Sequence, residues 1–141
     1  MRIVQAVGNL GEYYDRAAEN VSLAWLGDNV PPHAGTDRVT YTVPDGKKAL
    51  LVGVSLWMYR YSLATTVGRV RMGVVCYFDN GTEGDIVDIF HYTNDMTESI
   101  SVAVPISMVL LPGDRVAIFT YDPSTGGSMT YMGTCLIYEF A

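Results

Sequence analysis

From residue 38 to the end of the chain, apolar and polar residues alternate with a period of two, in short runs separated by turn-forming residues. Such alternation is the mark of a strand with one face on a core. Runs fall at 38–43, 48–60, 69–78, 86–91, 99–104, 115–121 and 128–140. With 107–111 as a possible continuation past Pro105, this predicts roughly eight strands. The breaks have a turn chemistry. Pro44-Asp45-Gly46-Lys47, Asp79-Asn80-Gly81, Pro112-Gly113-Asp114 and the stretch 122–127 combine a residue that presets a corner with a glycine that tolerates positive φ. No helix of ordinary length fits between the runs, which excludes alternating strand–helix architectures. The expected fold is all-β: a jelly-roll β-sandwich of antiparallel strands. In the run 48–60, Leu50, Val52, Val54, Leu56 and Met58 read as one face, and Leu51, Gly53, Ser55, Trp57 and Tyr59 as the other. Both faces are partly apolar, as expected of a central strand or one buried at a subunit contact.

Residues 1–37 differ in texture and read as an N-terminal arm, with the sandwich at 38–141. Residues 15–20 could make a turn or two of helix, too short to stand alone. Pro31-Pro32 mark a stiff extended connection. The arm carries Tyr13, Tyr14, Leu23, Trp25 and Leu26, more large apolar residues than a solvated tail holds. These residues are expected to pack on the body or on a neighbouring subunit.

Charge narrows the function. Only 17% of the 141 residues are charged and 49% are hydrophobic, whereas about 25% charge is usual. A chain so poor in charge is expected to hide part of its surface in an interface. Trp57, Tyr59, Tyr77, Tyr121 and Tyr131 are the candidates for an oligomer contact, because tyrosine and tryptophan offer an apolar body with a polar tip. The net charge of −6 argues against direct binding to a phosphate backbone. No apolar run reaches the ~20 residues of a membrane-spanning helix, and the start of the chain lacks the pattern of a signal peptide. The expectation is a soluble protein made in a cytoplasm.

Catalytic and metal signatures are weak. His33 and His91 stand apart, and no nucleophile elbow accompanies them. The acidic stretch 79–85 supplies Asp79, Glu83 and Asp85, but its spacing departs from the calcium-loop pattern, so no metal or cofactor is assigned. Cys76 and Cys135 lie within apolar runs and read as buried small hydrophobes; a disulfide between them is the other reading.

Leu110-Leu111-Pro112-Gly113-Asp114-Arg115-Val116 resembles the entry to a late strand in trimeric jelly rolls of the tumour-necrosis-factor and complement-head type. Tyr131-Met132-Gly133-Thr134-Cys135-Leu136 resembles their closing strand. Val43-Pro44-Asp45-Gly46-Lys47, followed by an apolar strand, is similar to the opening of many small phage virion proteins. These resemblances imply a phage head decoration (cement) protein: a jelly-roll homotrimer with an extended arm, bound to the major capsid protein on the capsid exterior, with no catalytic residues. The alternative is a carbohydrate- or receptor-binding head of a virion fibre, using Tyr61, Tyr92 and the loop 122–127.

Overall fold

The computed structural model describes residues 18–141. Among these described residues nine strands follow in order: β1 (Glu19–Asn20), β2 (Leu23–Val30), β3 (His33–Thr42), β4 (Lys48–Ser62), β5 (Val70–Tyr77), β6 (Glu83–His91), β7 (Ser99–Leu110), β8 (Arg115–Asp122) and β9 (Ser128–Phe140). They form two antiparallel sheets. In the larger, β9 pairs with β1 and β2 along one edge and with β4 along the other, and β7 completes the sheet beyond β4. The smaller runs β3-β8-β5-β6. Consecutive strands mostly change sheet, and the two layers close as a jelly-roll sandwich.

The turns behave as their residues dictate. Gly46, Gly81 and Gly113 have φ of 74°, 87° and 88°, a region open to glycine without a Cβ clash. Pro31 and Pro32 carry the chain from β2 in the large sheet to β3 in the small one. Pro105 lies within β7, opposite Gly53. Because β7 is an edge strand among the described residues, a residue without an N–H donor is tolerated there.

Residues 19–37, read from sequence as arm, are strands of the sandwich. Leu23 pairs with Cys135 and Trp25 with Gly133 across β2 and β9, and β3 is zipped to β8 from His33 onward. The helical turn expected at 15–20 gives way at its end to β1, where Glu19 faces Glu139. Its start, with Tyr13 and Tyr14 before it, lies outside the described residues. The reason is the same period of two: Leu23 and Trp25 alternate with Ala24 and Leu26, and β9 offers an open edge to pair with.

The core lies between the sheets. Val54, Leu56, Met58, Met129, Cys135 and Ile137 of the large sheet meet Val70, Met72, Val74, Cys76, Val116 and Ile118 of the small one, all buried. Each valine, leucine, isoleucine and methionine among them contributes about 1.5–3 kcal/mol by leaving water. A bulge in β4 between Leu51 and Gly53 shifts the register to both neighbours. It reverses the parity of the strand, as an extra residue must. Ahead of it Ala49 and Leu51 face the core, whereas Leu50 packs outside it with Ala18, Phe140, Val52 and Tyr138. The single face drawn from Leu50 to Met58 is therefore two. Cys76 and Cys135 are free, buried thiols on different sheets.

One end of the sandwich is tied by loops. Thr66 bridges Thr125, and Gly68 donates its N–H to Ser124 Oγ at 2.9 Å. Gly127 holds φ at 71°, and a Cβ there would sit 2.7 Å from both Ala64 N and Ser62 O. Replacing Gly127 with alanine forces a strained backbone against fixed main chain. A loss of about 1–3 kcal/mol is expected in denaturant titration. An unchanged midpoint would show that the loop pair carries no stability.

Candidate interaction surface

The outer face of the large sheet is assembled from alternate residues of four strands. Pairing sets them in rows. Leu26 stands beside Met132, Met132 beside Trp57, and Trp57 beside Ser101. The next row runs Ala24, Thr134, Ser55, Ala103, and the third joins Leu136, Gly53 and Pro105. No side chain in these rows is charged. Leu26, Met132 and Leu136 are 64%, 50% and 39% exposed. Between the projecting residues, the small side chains of Gly53, Ser55, Ala103 and Pro105 leave a trough of about 570 Å³, bordered by Asn20, Ser22, Thr134 and Leu136. Trp57 and Tyr59, two residues apart on this face, pack ring against ring at 5.0 Å between centroids. The three rows combine protruding apolar groups with a receptive groove; the nearest charge is Asp28, which accepts a hydrogen bond from Thr130 at 2.8 Å in the row beyond Trp57 and Met132.

The outer face of the small sheet has the opposite character. Arg71 forms ion pairs with Asp85 (2.8 Å) and Asp88 (2.9 Å) and lies over the Phe119 ring at 4.9 Å. Arg115 covers the ring of Tyr77 at 4.2 Å, and the Tyr77 hydroxyl donates to Asp37 at 3.1 Å. Burial and that hydrogen bond push the Tyr77 hydroxyl pKa above its ordinary value. Glycine allows this layer to lie flat: the Phe119 ring covers Gly35 and the Asp88 carboxylate covers Gly73.

The expected contact residues therefore divide among three places. Trp57, Tyr59 and Leu26 share the outer face of the large sheet. Tyr77 and Tyr121 lie on the opposite sheet, with Tyr121 39% exposed. Tyr131 and Leu23 are in the core, and Tyr131 is wholly buried. This corrects the reading of both as contact residues: β9 points Tyr131 inward with Met129 and Cys135, and β2 points Leu23 inward. Trp25 is half-buried, its ring over Gly27, against Tyr131 at 5.7 Å and beneath Arg38 at 5.0 Å. Sequence reading missed Met132 and Leu136, whose alternation with Tyr131, Cys135 and Ile137 marks them as outward once the inward parity of β9 is known.

Most of the polar candidates have structural partners, but the buried Nδ1 of His91 makes no hydrogen bond among the described residues. His33 sets Nε2 at 2.9 Å from Thr120 Oγ1 and Nδ1 at 2.8 Å from the Pro31 carbonyl oxygen. His91 is buried at the end of β6. Of the acidic residues, Asp85 is held by Arg71, Asp79 lies against Gly113, and Glu83 pairs across the ladder with Tyr77. Among the described residues, no three His, Cys, Asp or Glu converge in a way that could hold a metal ion.

No protein-family model matches the chain, and no curated protein matches it in sequence. Solved structures do. The globular domain of the zebrafish complement 1qA protein is 13% identical, with 86% of this chain and 96% of that one covered and a TM-score of 0.49. Dimeric latent PorU from Porphyromonas gingivalis is 9% identical, with a TM-score of 0.50. It covers 89% of this chain, which spans 13% of PorU. VP2 of infectious bursal disease virus is 10% identical, with a TM-score of 0.39; the alignment takes in 97% of this chain and 36% of VP2. At these identities the likeness concerns the fold alone.

Proposed function

We propose that the protein is a non-catalytic structural subunit of a virion, a capsid decoration or cement protein that self-associates as a homotrimer through the outer face of its large sheet. The carrying observation is the run of three uncharged rows from Leu26 to Pro105, with a trough among them. A second copy suits this face because neither side brings a charge that must be desolvated without a partner. Projecting Leu26, Met132 and Leu136 can enter the shallow trough of a neighbour. Apolar area buried there stabilises the contact by roughly 25 cal/mol per Å², less the cost of association. Repeated copies on a lattice then add weak contacts by avidity. Contact with the major capsid protein is assigned to the segment ahead of β1, which carries Tyr13 and Tyr14. The small sheet, turned away from the self-contact, faces outward.

Sedimentation of the purified chain tests the self-association: the expected mass is a small multiple of the protomer, three for the proposed trimer. Negative-stain images of particles with and without the protein test the decoration role, with added surface density expected on the capsid. A monomer at micromolar concentration, together with bare particles, would overturn the reading.

A further inference from the structure

We infer that the hollow on the outer face of the small sheet, between Arg69, Phe90, Tyr121 and the Asp85–Arg71–Asp88 cluster, binds a saccharide that carries a carboxylate. The site lies on the sheet opposite the proposed self-contact and does not depend on that contact.

The hollow is about 330 Å³ and is lined by Arg69, Arg71, Asp85, Asp88, Phe90, Tyr121 and Pro123. That is the low end of the ~300–1,000 Å³ usual for small-molecule sites, which suits one or two sugar rings. Two of its lining residues, Phe90 and Tyr121, are aromatic. Phe90 and Tyr92 lie side by side at 6.2 Å, and Tyr92 is exposed. Tyr121 closes the other side next to Pro123. With Arg69 lying over Phe90, the ring left to meet the C–H face of a pyranose is that of Tyr121, 39% exposed, which also brings a hydroxyl to the rim.

The charges are unequally satisfied. Arg71 takes both carboxylates, Nη2 on Asp85 and Nε on Asp88. Arg69 rests on aromatic rings instead, 3.9 Å above Phe90 and 5.7 Å from Tyr92. Among the described residues, no carboxylate lies within ion-pair distance of it. In a chain of net charge −6, a guanidinium held over an aromatic platform without an acidic partner is available for a bidentate carboxylate. Asp85, with its side chain 56% exposed, can accept from sugar hydroxyls at the other end of the hollow. Paired acids beside the cation disfavour a polyanion such as nucleic acid, whereas a sugar acid combines one negative group with several hydroxyl donors.

The site is also preformed. The Thr66–Thr125 bridge and the packing of Gly68 on Pro123 fix Arg69 against the end of β8. Gly73, beneath the Asp88 carboxylate, lets the ion pair lie close to the sheet. Little ordering remains to be done on binding.

The test is binding of the full-length protein to immobilised oligosaccharides ending in sialic or glucuronic acid, beside neutral counterparts of the same linkage. Selective retention on the acidic set is expected. Arg69→Gln is expected to reduce it at least about tenfold, the worth of one charge-assisted contact, and Tyr121→Ala severalfold. Both variants are expected to keep the wild-type melting temperature and solution mass. Equal retention on neutral sugars, binding unaffected by Arg69→Gln, preference for acidic peptides, or no retention on any saccharide would each overturn the assignment. Loss of self-association would leave it standing.

Discussion

Met132→Asp is expected to convert the proposed oligomer into a folded monomer. Met132 lies at the centre of the uncharged face, with Leu26 on one side and Trp57 on the other. It is half exposed in the isolated chain, so a carboxylate there stays hydrated and the fold is retained. In a self-contact the same carboxylate is buried opposite Leu, Trp or Ala with nothing to neutralise it. An uncompensated buried charge costs about 3–5 kcal/mol, which weakens association by more than 100-fold per contact. Thr40→Asp, exposed on β3 of the other sheet, provides the control and is expected to leave the mass unchanged. Sedimentation of both variants at equal concentration is the measurement. If Met132→Asp keeps the wild-type mass, the self-contact lies elsewhere. If Thr40→Asp dissociates as well, the effect is general charge rather than this surface.

The sheet content and most turns were readable in the residues because strands and turns are local. Alternation from Val70 to Cys76 places those side chains inside, and Gly46, Gly81 and Gly113 adopt the positive φ their turns imply. What was not readable depends on long-range pairing. Nothing near Val52 announces the bulge, yet the bulge decides that Leu50 faces outward and Leu51 inward. Trp25 and Leu23 looked like an arm because the edge of β9 that receives them lies more than a hundred residues away. Arg60 is charged and stands near a strand end, but the parity of β4 places it in line with Leu56 and Met58, and it is fully buried. The candidate surface was half legible. Aromatic content singled out Trp57 and Tyr59, which lie on this face, while parity alone separates buried Tyr131 from exposed Met132. The partners that complete each row come from strands 30 to 110 residues apart, a relation that composition cannot express.

Raising the pH from 9 to 11 is expected to destabilise the fold strongly, through its two thiols. Burial holds the neutral form of each. Cys135 is pushed from its ordinary 9.0 up to about 12 by burial alone. Cys76 is pushed from 9.0 to about 11 by burial and then by the negative charge of Asp114. Because the folded values lie above the unfolded ones, the unfolded chain releases its thiol protons first. The stabilisation is whole below pH 9 and falls as the pH climbs toward the folded values. Each unit of displacement is worth about 1.4 kcal/mol. By pH 11 the two sites together lose on the order of 5 kcal/mol, comparable with the ~5–15 kcal/mol that usually holds a domain together. Denaturant midpoints measured at half-unit steps give the slope. Cys76→Ala/Cys135→Ala removes both thiols, and although two small cavities lower its stability at pH 7, its slope between pH 9 and 11 is expected to be much shallower than that of the parent. Tyrosine and lysine titrations are common to both proteins and cancel in the comparison. Parallel slopes would mean that water reaches the thiols between the sheets, and that the sandwich is less tightly closed around Cys76 and Cys135 than their burial indicates.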